Sequence, residues 1–132
     1  MKAIFIFLIV IELLNGQTYK KFADVYSYET NYEKAYLKAR REKKNILLIT
    51  VANYCSWCKK LENRVLKDIV LQKEIHKSFI LVIVNNDIDK LQERFITNII
   101  PVSYVINYKT DKIIKKKVGY QTKSDFLYFI KE

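Results

Sequence analysis

The chain has 132 residues and a formal net charge of +10, from 24 Lys and Arg against 14 Asp and Glu. Half of its residues are hydrophobic, so one ordinary globular core can form without staples. Two glycines and one proline argue against long linkers or a disordered chain, and no repeat, Gly-rich phosphate loop or dense metal-ligand cluster is present.

The chain opens on Met1-Lys2, an unbroken apolar run from Ala3 to Ile11, then Leu13 and Leu14, before Asn15-Gly16-Gln17 turns polar. One positive charge, a short apolar core and a small residue at a plausible cut are the pattern of a secretory signal peptide. The run is too short to span a bilayer comfortably. We expect residues 1–16 to be a signal peptide and residues 17–132 to form one domain. Glu12 and the size of Leu14 depart from the ideal, which leaves an uncleaved anchor as the alternative. The destination is then the periplasm or a secretory route.

Thr30 to Glu33 reads as a capping box that opens a helix to about Lys43, with Tyr32, Ala35, Tyr36 and Ala39 forming its buried stripe. Ile46 to Ala52 is a continuous apolar and β-branched run, fit for a strand buried on both faces. A helical pattern follows from about Cys58 to Leu66, with Leu61 and Val65 inward, and another from about Val70 to Lys77. Phe79 to Val84 is a second buried strand, and Asp89 to Phe95 reads as a short helix. Val102 to Tyr108 and Lys112 to Val118 flank the turn residues Lys109-Thr110-Asp111, which predicts an antiparallel hairpin. After Gly119, the stretch from Lys123 to Lys131 closes the chain as an amphipathic helix bearing Phe126, Leu127 and Ile130. This order predicts an α/β fold, a mixed central sheet covered by helices on both faces.

The positive charge is read first as a lysine-rich solvated surface. Its densest run, Lys115-Lys116-Lys117, falls in an expected edge strand, where lysines discourage pairing with other chains. The ten tyrosines make no base-stacking pattern and several fall at core spacings, so nucleic acid is not an expected partner.

Cys55 and Cys58 are the only cysteines, three apart, where a buried strand meets a helix. A helix N-terminus offers unpaired N–H groups and a partial positive charge, which stabilise a thiolate at Cys55. Lys59 and Lys60 add to that field. One helical turn later, Cys58 can reach back and resolve a mixed disulfide. A purely structural disulfide over so short a loop would stabilise little. Half a zinc site lacks its second cysteine pair, and His76 is the lone histidine. A redox pair is therefore the leading reading, with no metal and no cofactor.

At these residues the chain resembles the thioredoxin superfamily, over about Tyr28 to Lys131. The segment from Val51 through Tyr54-Cys55-Ser56-Trp57-Cys58 to Glu62 looks like the active-site stretch of thioredoxin-like periplasmic proteins. It is especially similar to the C-terminal domain of the transmembrane disulfide reductase. Ile99-Ile100-Pro101-Val102 resembles the family's second landmark, a cis-proline opening the hairpin opposite the cysteines. The resemblance implies that the Ile100 backbone pairs with a substrate chain as an added strand, and that Tyr54 and Trp57 form an apolar docking rim around the sulfur. It also implies client proteins with disulfides or thiols, a membrane-bound electron donor and a monomer. One departure stands out. Many thioredoxins carry a buried aspartate six residues before the first cysteine, and here that position is Ile49. Glu62 is the candidate substitute, although a surface position is the commoner fate of a glutamate. The competing function is a binding or chaperone-like module that keeps the fold without redox turnover.

Overall fold

The continuous apolar runs become the strands, because only a strand covered on both faces can hide every side chain. A computed structural model describes residues 19–132, so the expected signal peptide lies outside the described residues. Strand β1 (Asn45–Val51) pairs in parallel with β2 (Phe79–Asn85) on one side and antiparallel with β3 (Val102–Ile106) on the other. Strand β4 (Ile113–Val118) completes the antiparallel hairpin with β3. The sheet order is β2-β1-β3-β4. Lys115, Lys116 and Lys117 do lie on an edge strand, as expected.

Alternation along the strands divides the core in two. Leu47, Ile49, Leu81, Ile83 and Val105 face one cluster, together with Leu61, Val65, Leu71, Ile75 and Phe126 from the helices. Ile46, Leu48, Ile80, Val82, Val102 and Tyr104 face the other, against Tyr32, Ala35, Ala39 and Phe95. Each large apolar side chain hidden this way contributes roughly 1.5–3 kcal/mol.

The helices that make the first layer are α1 (19–25), α3 (Ser56–Leu61), α4 (Ile69–Ser78) and α5 (Lys123–Lys131), while α2 (Tyr32–Glu42) covers the opposite face. Helix α1 was not anticipated. It carries Tyr19, Phe22 and Ala23 into the first cluster. His76 has a packing role here, with its ring 5.1 Å from that of Tyr28 and its Nε2 donating to the Tyr26 carbonyl at 3.1 Å. Among the described residues, no helix is long and apolar enough to cross a membrane.

Three local expectations need correction. The capping residue of α2 is Asn31, whose Oδ1 accepts the Lys34 N–H at 3.0 Å, so Thr30 and Glu33 do not form a capping box. The cause lies outside the helix. Glu29 forms a bridge beside β2, donating to the Leu81 carbonyl and accepting from the Ile83 N–H at 2.9 Å each, which holds the chain against the sheet up to the bend at Thr30.

Asp89 to Phe95 is not one helix: Asp89 is a bend directly after the turn at 86–88, and only Glu93–Phe95 is helical, as a 3₁₀ segment. Here the Asp89 carboxylate accepts the Asn85 N–H at 2.7 Å, a local bond that competes with helix formation. The third concerns the helix after the cysteines, which begins at Ser56 and widens into a π-helical segment over Glu62–Leu66.

Candidate active site

The parallel pair β1/β2 and the start of β3 bring their ends together at one edge of the molecule. Val51 pairs with Asn85, and Thr50 pairs with Val102, so the segments holding Cys55 and Pro101 leave the sheet side by side. This is the carboxyl end of the parallel strands, where open α/β sheets place their sites.

Cys55 is the capping residue of α3, with φ −98° and ψ 98°, and its Sγ accepts the Cys58 N–H at 3.2 Å. The two sulfurs are joined in a disulfide, with the Cα atoms 5.3 Å apart. Cys55 is half-buried, whereas Cys58 is 3 % exposed. The same N–H that meets the disulfide sulfur can serve a thiolate once the bond is reduced, in the field of the helix N-terminus.

Tyr54 precedes the pair with a positive φ of 56° and lies 79 % exposed. Trp57 is 52 % exposed, packs against Tyr120 with ring centroids 5.5 Å apart, and carries the Lys60 Nζ 4.1 Å above its ring. The Ile100–Pro101 bond is cis, as the resemblance implied. Pro101 is buried and accepts the Gly119 N–H at 2.7 Å. Gly119 has φ +89°, and a Cβ there would meet nothing within 4 Å, so backbone conformation rather than space calls for glycine. Ile100 and Cys55 pack against the same hydrophobic cluster.

Glu62 is the residue whose placement differs most from expectation. Instead of projecting from the surface, it lines a cavity of about 20 Å³ together with Cys55, Cys58, Tyr19 and Asn85, room for about one water molecule. Burial raises its pKa above the ordinary carboxylate value, with Lys59 and Lys67 opposing that rise. The position six residues before Cys55 is occupied by Ile49, fully buried in the same apolar cluster as Cys58. The acid therefore enters from the helix side rather than from the strand.

Asn85 and Tyr19 were not anticipated. Asn85 is 2 % exposed and donates from Nδ2 to the Asn53 Oδ1 at 3.1 Å, which ties β2 to the loop before Cys55. Tyr19 donates to Asp89 at 2.8 Å. A polar residue closing the run Phe79-Ile80-Leu81-Val82-Ile83-Val84 was a visible signal for Asn85, whereas nothing local marked Tyr19. No group of three or more His, Cys, Asp or Glu among the described residues could hold a metal ion.

Residues 27–108 match the family model described as thioredoxin-like. The chain belongs to the thioredoxin-like family. Cys55 and Cys58 supply the Cys-x-x-Cys pair that makes thioredoxin-fold proteins thiol–disulfide oxidoreductases, and this member has the pair at the strand–helix junction.

Solved structures similar to this thioredoxin-like chain include a thioredoxin from Thermus thermophilus, with 17% identity, a TM-score of 0.71, and coverage of 79% of this chain and 84% of that one. The oxidised C-terminal domain of DsbD from Neisseria meningitidis has 13% identity and a TM-score of 0.64, covering 79% of this chain and 97% of the domain. A disulphide isomerase from Xylella fastidiosa has 23% identity and a TM-score of 0.59, over 76% and 88% of the two chains. At these identities the likeness is one of fold. No curated protein matches the chain in sequence.

Proposed function

We propose that the protein is an exported thiol–disulfide exchanger that reduces or isomerises disulfides in client proteins. The observation that carries this reading is the unequal exposure of two bonded sulfurs at one helix N-terminus. In the reduced state the Cys55 thiolate attacks a client disulfide, forming one S–S bond and releasing one client thiolate. Cys58 loses its proton and attacks the Cys55 sulfur, which restores the internal disulfide and frees the second client thiolate. Two electrons pass to the client. A membrane-bound dithiol donor then returns them.

Tyr54 and Trp57 offer apolar surface beside the sulfur, and the Ile100 backbone next to Pro101 offers strand pairing to the client. The serine hydroxyl and the indole N–H between the cysteines supply no full positive charge. Ser56 and Trp57 leave the helix N-terminus and nearby lysines as the thiolate's support, which implies a moderately reducing couple. Equilibration with glutathione, read by Trp57 fluorescence, is expected to give a potential more reducing than about −150 mV. A more oxidising value would make the protein a disulfide donor. Failure to reduce insulin with dithiothreitol as electron source would favour the binding-module alternative.

Export rests on the Lys2-plus-apolar opening. Intact-mass measurement on protein from its native host is expected to give a mature chain beginning near Gln17, outside the cytoplasm. A soluble cytoplasmic species that retains residues 1–16 would refute export.

A further inference from the structure

A second concavity begins where the disulfide cavity ends. Lys59 and Glu62 line both. This outer groove, of about 300 Å³, runs between α1 and the π-helical segment, and Lys21 of α1, Lys59 of α3 and Lys67, which caps the π-helical segment, line it. All three lysines are exposed, and none has a salt-bridge partner among the described residues, where the ion pairs use Lys38, Lys44, Arg94, Lys123 and Lys131. Phe22 and Val25 give the groove apolar wall. Its one carboxylate is Glu62, so the cations outnumber it three to one.

We propose that this groove docks an acidic polypeptide segment of the dithiol partner that exchanges with Cys55–Cys58. The proposal rests on the exchange reading of that pair and adds the partner's chemistry. A side chain can enter a concave site that a flat bilayer only covers, and a segment seated there lies beside Lys59 and Glu62, which also line the cavity at the disulfide. These cations raise the local concentration of such a segment and its encounter rate.

The test uses the oxidised protein and two dithiol peptides of equal length, one flanked by Asp and Glu, the other by Asn and Gln. Stopped-flow Trp57 fluorescence is expected to show the acidic peptide reacting about tenfold faster at low ionic strength. Added salt is expected to erase the difference as the Debye length shortens. The double variant Lys21→Glu/Lys67→Glu is expected to lose most of the preference. Lys109→Glu/Lys112→Glu makes the same change in net charge at the exposed far turn of the hairpin and is expected to keep it.

Equal rates for the two peptides, or equal loss in both double variants, would overturn the groove and leave only the field of the whole chain. Binding of phosphatidylglycerol vesicles that depends on Lys21 and Lys67, without peptide preference, would replace the acidic segment by a membrane. If dithiothreitol and the neutral peptide react normally, such results strike the groove alone. If neither opens the disulfide, the exchange reading falls and the proposal with it.

Discussion

Replacing Cys58 with serine is expected to accumulate a covalent adduct between Cys55 and a client, while replacing Cys55 with serine brings exchange down to the uncatalysed level. The asymmetry follows from access. A client sulfur can approach Cys55, which is half-buried beside exposed Tyr54 and Trp57, but Cys58 is 3 % exposed and sealed by the first core cluster. The attacking species is a thiolate, and its support comes from the Cys58 N–H 3.2 Å from the Cys55 sulfur at the start of α3. A serine hydroxyl at position 55 keeps the shape and loses the nucleophile. With serine at position 58, the first S–S bond to the client still forms, and nothing internal breaks it. Non-reducing electrophoresis and intact mass after mixing with a disulfide client will read both outcomes. Comparable trapping by the two variants would contradict the division of roles.

Glu62→Gln is expected to slow the release of that mixed disulfide by about 10²-fold near neutral pH, the range in which a positioned acid–base group acts. Cys58 must lose a proton before it can attack, and Glu62 is the carboxylate that shares its cavity. Burial raises the Glu62 pKa, which brings it closer to the working pH of a proton acceptor. The amide fills the same space but cannot take the proton. Single-turnover rates followed by Trp57 fluorescence across pH 5 to 9 are expected to lose a titration in the variant, and an unchanged profile would exclude the role.

Stability moves the other way. A carboxyl whose folded pKa is raised favours the protonated folded state, so its ionisation destabilises the fold as pH rises from the unfolded value through the folded one. The neutral amide of the variant escapes that penalty. The denaturation midpoint of Glu62→Gln is therefore expected to exceed that of the parent at pH 8. The difference is expected to close in acid, below the unfolded value of about 4.3. A role confined to packing would not couple slower resolution to greater stability.

The local signals in the chain were those of burial and of backbone punctuation. Phe79 to Val84 and Ile46 to Val51 are strands because short apolar and β-branched runs hide both of their faces in a sheet covered on both sides. Lys109-Thr110-Asp111 turns the hairpin, since the Asn107 side chain accepts the Lys109 and Thr110 N–H groups at 2.8 and 3.1 Å. Two cysteines three apart between a strand and a helix already named the chemistry. Each of these is a property of a few neighbouring residues.

The remainder depended on contacts between distant ones. Asn31 rather than Thr30 caps α2 because Glu29 is held alongside β2, far along the chain. Asp89 closes a turn rather than opening a helix because Asn85 and Tyr19 both donate to its carboxylate. Glu62 faces the disulfide because α3 widens into a π-helical segment there and the end of β2 and Tyr19 of α1 close the same cavity. A glutamate's sequence neighbourhood gives only its charge and helix position. Whether that charge meets solvent or a thiol is decided by which distant elements pack across it, and desolvation by those elements then sets its proton affinity.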